Sequence, residues 1–143
     1  MAQVGKAKGL LAGAAIVAGT VAVAEAAQAA SYSGGPWTNN GCQYRANAGD
    51  QPDPWGATGE VWRYGESGTC SAGWVEVHAT DSKGANQVVS GRSDWTSGSE
   101  ATFVTAGAGT TLRYACFSAR STKGGNWSTV RKLGTGSGAC GHP

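Results

Sequence analysis

The sequence predicts an all-β fold: a small antiparallel β-sandwich or partly open barrel of six or seven short strands with two disulfides. Three observations carry this. No apolar stripe with helical period of useful length occurs after residue 30, whereas short runs of strand-forming residues alternate with turn signals. The chain holds 24 glycines, most of them after residue 29, which oppose helix and favour tight turns. All four cysteines, Cys42, Cys70, Cys116 and Cys140, lie in that same part.

Residues 1–29 read as a secretory signal peptide. Lys6 and Lys8 give a basic start, Leu10 to Ala24 is apolar, and Ala27-Gln28-Ala29 places small residues where a signal peptidase cleaves. The apolar run is about fifteen residues, short of the roughly 20 that a spanning helix needs, so no membrane association is expected after cleavage. The expected localisation is secreted, extracellular.

Four cysteines in an exported chain imply two disulfides, for which three pairings exist. Cys42–Cys70 and Cys116–Cys140 are preferred, because each closes a local loop. A zinc site is a poor competitor, since no C-x-x-C pair occurs. The exported part contains no Ile or Met and has two Leu, two Phe, seven Val, six Trp and four Tyr, so its core must lean on aromatics.

Residues 30–41 read as a flexible aromatic arm preceding a disulfide-stapled β domain at 42–143. The arm is polar and rich in Gly and Asn, with Tyr32, Pro36 and Trp37 as candidate partner-binding anchors. Eleven extended residues reach about 35 Å. Trp37→Ala is therefore expected to spare the fold and abolish partner binding.

Cys42 to Ala46 is a first strand. Ala48 to Gly56 is a loop, because Pro52 and Pro54 cannot enter a ladder. Its Asp50 and Asp53 lack calcium-loop spacing, and its Trp55 reads equally as an exposed aromatic or as a cap on the core. Gly59 to Thr80 is expected to form a β-hairpin: Val61 to Tyr64, a glycine-rich loop holding Cys70, and a return strand. On that return, Val75, Val77 and Ala79 share one face, and Trp74, Glu76 and His78 share a wet one. Gln87 to Ser90 is a short strand, and Gly91 to Ser99 is a loop holding Trp95. In Ala101 to Ala106, Thr102 and Val104 oppose Ala101, Phe103 and Thr105. Thr111 to Arg120 is the longest strand, with Leu112, Tyr114 and Cys116 expected on one face. Trp127 to Leu133 is the last strand. The tail after it is expected to be flexible except at Cys140.

Catalytic signals are sparse. Glu76 and His78 form an acid–imidazole pair on one strand face, and a solvated face explains them better than a catalytic base. No G-x-S-x-G elbow occurs, and Glu60, Glu66, Glu76 and Glu100 are scattered. Removing Lys6, Lys8 and Glu25 from 11 basic and nine acidic side chains leaves nine and eight, with no basic stripe. Nucleic acid is thereby excluded as a partner, and no cofactor is expected.

Ala27-Gln28-Ala29, Val61-Trp62-Arg63-Tyr64 with Cys70 and Trp74-Val75, and Arg113-Tyr114-Ala115-Cys116 with its Gly-Gly-Asn-Trp turn carry a resemblance. The chain resembles the small disulfide-bonded secreted β-proteins of actinobacteria. In size and aromatic arm it is similar to the small adaptor subunit of umbrella toxin particles. That resemblance implies a non-enzymatic connector between secreted proteins, joining a lectin-type subunit to a large toxin. Two other readings stand beside it. A carbohydrate-binding module would present Trp55, Trp95 and Trp127 on one face to a polysaccharide. A secreted protease inhibitor would use the Gly65–Gly73 loop.

Overall fold

The computed structural model describes residues 29–64, 70–96, 100–121 and 125–143. Its strands are β1 (Ser31–Asn39), β2 (Cys42–Gln51), β3 (Gly56–Arg63), β4 (Cys70–Thr80), β5 (Asn86–Asp94), β6 (Ala101–Thr105), β7 (Thr111–Ser121) and β8 (Arg131–Gly134). They form two four-stranded sheets, in the orders β1-β2-β3-β6 and β5-β4-β7-β8, and every neighbouring pair is antiparallel. The disulfides are Cys42–Cys70 and Cys116–Cys140, as the two local loops suggested.

The core lies between the sheets. Tyr44, Ala46 and Val61 from the first sheet meet Val75, Val77 and Phe117 from the second. Gly59 makes the close approach possible: a Cβ there would stand 2.8 Å from Val75 Cγ1 and 3.0 Å from Val77 Cγ2. Trp95 is also core, 4 % exposed, its ring lying over Gly73. Trp95 Nε1 donates to Thr102 Oγ1 at 3.1 Å, which satisfies the indole where water cannot reach it.

The expected hairpin is not formed. β3 pairs with β2 and β6, β4 pairs with β5 and β7, and the chain crosses from one sheet to the other between them. The reason is burial. Val61 on β3 and Val75 and Val77 on β4 face each other through the core, which strands side by side in one sheet cannot do. Cys70 opens β4, and its bond to Cys42 in β2 staples the two sheets together.

The segment expected to be a flexible arm is strand β1, which brings the strand count to eight. Its own sequence has no apolar run, but its ladder to β2 supplies the hydrogen bonds. Its inward side chains, Tyr32 and Trp37, pack against the core margin. Pro36 sits in the register break between Gly34 and Trp37 on this edge strand, where a missing N–H costs no ladder bond.

The face of β4 expected to be wet is covered. Trp74, Tyr114 and Cys116 form a second cluster on the outer face of the second sheet, roofed by Trp127, Val130 and Cys140. The tail is held there: Tyr114 Oη donates to the Ala139 carbonyl at 2.8 Å, and Gly141 N–H donates to Glu76 Oε1 at 2.8 Å. It is a third layer and not a loose end. A bulge explains a further difference. His78 pairs with Tyr114 but Ala79 pairs with Leu112, so Arg113 is the extra residue. That turns Leu112 into the core, while Tyr114 and Cys116 face the tail.

Candidate functional site

The outer face of the first sheet stays open. The antiparallel registers set its side chains in rows across the strands. Ser33 on β1, Asn47 on β2, Glu60 on β3 and Phe103 on β6 form one row. Ser31, Gly49, Thr58 and Thr105 form the next. Adjacent strands lie about 4.8 Å apart, so a row of four spans about 14 Å. Gly49 carries no side chain into its row, which lowers the floor at that point. These rows, apart from Thr105, line a groove of about 490 Å³ together with Gln51 and Trp55.

Trp55 forms one end of it. The indole is 49 % exposed and meets Phe103, 48 % exposed, edge to face with ring centroids 5.8 Å apart. Two large aromatics left in solvent beside a polar floor make up the kind of surface that binds ligands. The backbone under Trp55 is fixed. Its carbonyl accepts from Gly107 N–H at 3.0 Å and from the Thr105 hydroxyl, and its N–H donates to the Pro52 carbonyl at 3.0 Å. The next residue must be glycine: Gly56 has φ +69°, and a Cβ there would stand 1.8 Å from the Gly107 carbonyl oxygen. Pro52 and Pro54, which end the ladder, thus lead into a rigid aromatic platform rather than a loose loop.

The floor supplies hydroxyl, amide and carboxylate groups. Ser33 Oγ donates to Asn47 Oδ1 at 3.1 Å, leaving the Asn47 amide nitrogen to act as a donor toward the groove. Gln51 and Thr58 line the Trp55 end, and Thr58 donates to the Gly49 carbonyl at 3.2 Å. Among the described residues no Lys or Arg lines the groove, and Glu60 is the one charged group there.

The residues singled out in the sequence are dispersed. Tyr32 points inward against the core margin, and Pro36 is exposed at the edge. Trp37 is half-buried, with its ring centroid 5.5 Å from that of Tyr44 and Arg131 over its face at 5.8 Å. The proposed platform of Trp55, Trp95 and Trp127 does not exist as one face. Trp95 is in the core, and Trp127 lies on the second sheet against Trp74 and Tyr114, with Arg92 at 6.0 Å. Trp55 alone of the three opens onto the groove. Most of the candidate inhibitor loop, residues 65–69, lies outside the described residues.

Glu76 and His78 do form a pair: the imidazole Nε2 lies 2.6 Å from Glu76 Oε1. Both side chains are only 12 % exposed, and His78 stacks on Tyr114 at 4.2 Å. Glu76 also accepts from Gly141 N–H, so the pair serves as an anchor for the tail. Cys116 Sγ lies near both groups, but it is bonded to Cys140 and offers no thiolate to a metal.

The residues that sequence reading missed are Ser31, Ser33, Asn47, Gln51, Thr58 and the pairing of Glu60 with Phe103. One signal was present. Phe103 alternates with the inward Thr102 and Val104, which puts a large apolar ring on a solvent face. The others become a site only through strand register. No protein-family model matches the chain, no curated protein matches it, and no solved structure matches it.

Proposed function

We propose that this protein is a secreted, non-enzymatic binding module that holds a polysaccharide chain across the outer face of its first sheet. The observation that carries the reading is the exposed Trp55–Phe103 pair beside a floor of hydroxyl and amide groups. A sugar ring has an apolar C–H face and a rim of hydroxyls, so it needs an aromatic platform and polar side chains at its edge. Trp62 also faces outward on β3, two residues from Glu60 and about 7 Å along the strand. It offers a second ring farther along the same chain of sugars. The two disulfides suit an oxidising, extracellular setting.

The test is a panel of insoluble polysaccharides and soluble hexasaccharides, read by co-sedimentation and calorimetry. Trp55→Ala should weaken binding at least about tenfold while the melting temperature is unchanged, because half the ring is already in water. Equal binding by wild type and Trp55→Ala, or no binding across the panel, overturns the reading.

One observation favours the connector alternative. β5 is an edge strand of nine residues with no proline and an exposed Val88. Such an edge accepts a partner's strand. Recovery of another secreted protein in fixed ratio from culture supernatant, lost on placing proline at Val88, would favour it.

A further inference from the structure

We propose that the groove selects an amino-sugar polysaccharide, a chain whose units carry a free ammonium group, with Glu60 as the selecting residue. This rests on the glycan reading above and adds the charge of the ligand to it. Glu60 lies in the middle of the row Ser33–Asn47–Glu60–Phe103, on an inner strand of the sheet. It is half-buried, and among the described residues its carboxylate has no ion-pair partner. Its row neighbours are a neutral amide and an aromatic ring, so nothing there neutralises it.

The surrounding charges point the same way. Asp53 is exposed in the turn that presents Trp55. Asp50 is engaged from the other side, accepting from Leu112 N–H at 2.7 Å. Among the described strand residues the outward cation on this face is Arg45, one row beyond Asn47 on β2. Its guanidinium lies over the Tyr64 ring at 5.0 Å, away from the groove lining. A polyanionic chain laid along the groove lining would meet the Glu60 carboxylate there, with Arg45 outside that lining. A polycationic chain would set one ammonium against the carboxylate while an adjoining ring stacks on Trp55. A charge-assisted hydrogen bond of this type is roughly twice as strong as a neutral one.

The experiment is calorimetric titration of the full disulfide-bonded protein with four hexasaccharides at low salt and mildly acidic pH. They are a glucosamine hexamer, an N-acetylglucosamine hexamer, a glucose hexamer and a uronic-acid hexamer. The glucosamine hexamer should bind about tenfold tighter than the glucose hexamer, the uronic-acid hexamer should not bind, and added salt should narrow the difference. Glu60→Gln should remove that advantage, bringing the glucosamine- and glucose-hexamer affinities together. Asp94→Asn, on β5 of the other sheet, should change neither. Equal affinity for glucosamine and glucose hexamers, unaffected by Glu60→Gln, overturns the ammonium proposal and leaves the glycan reading standing. Absence of binding to all four overturns both.

Discussion

Gly73→Ala tests the core more sharply than any truncation. Gly73 faces the Trp95 ring, and a Cβ there would stand 2.0 Å from Cζ2, 2.5 Å from Cη2 and 2.9 Å from Cε2. The ring cannot yield freely, because Trp95 is buried and its Nε1 is bonded to Thr102. Overpacking of this kind costs about 1–3 kcal/mol, and loss of the indole hydrogen bond adds about 1 kcal/mol. Replacing glycine in a strand returns about 0.5–1 kcal/mol through the unfolded state. The net loss is about 1–3.5 kcal/mol, or a melting temperature lower by about 5–15 °C. Urea unfolding followed by tryptophan fluorescence measures it, with an unchanged slope confirming a purely native-state effect. The double variant isolates the clash. Trp95→Ala alone should cost about 3–5 kcal/mol, and adding Gly73→Ala to it should cost nothing further. A Gly73→Ala protein as stable as wild type, or additive losses in the double variant, would refute the placement of Trp95 over Gly73.

Full reduction should unfold the domain near body temperature, since each disulfide closes a loop worth roughly 3.5 kcal/mol of chain entropy; melting curves with and without reductant check this. Trp37→Ala should lower the melting temperature by several degrees, because the ring packs on Tyr44 and sits beneath Arg131, the reverse of what a free docking arm implies. Asp81 accepts from the N–H groups of Ala85 and Lys83, and these bonds hold its carboxyl below the ordinary 3.8. A lowered carboxyl stabilises the fold above the unfolded value and ceases to do so as the pH falls through the folded one. The Asp81 carboxyl signal in an NMR titration should therefore turn below 3.8, and Asp81→Asn should remove that part of the acid dependence.

Much of the fold was legible because alternation and cysteine spacing are local properties. Thr102 and Val104 share one face as their alternation predicts, and both disulfides close the short loops. What failed was pairing. The runs at Val61 and Val75 were read correctly as strands, but their placement in opposite sheets depends on which buried faces meet, and short-range pattern does not contain that. β1 failed for a related reason: Ser31 to Asn39 is held by its neighbour's backbone, so its own side chains give little sign of it. The Arg113 bulge leaves no sequence mark, and it reassigns Leu112. The groove was legible only at Trp55; the alternation around Phe103 did not by itself say which face meets solvent. Asn47 and Glu60 are 13 positions apart and meet only through register.

The covering of the second sheet by the tail gives the domain a front and a back. Pro143 follows directly from residues seated on Glu76 and Tyr114, whereas the Ala30 carbonyl accepts from Asp50 N–H beside the groove rim. A label, fluorophore or solid support attached after Pro143 therefore leaves from the back, with the front clear for ligand. The same attachment ahead of Ala30 would crowd Ser31 and Ser33. Surface immobilisation through the C-terminus is the orientation in which the binding measurements above should be made.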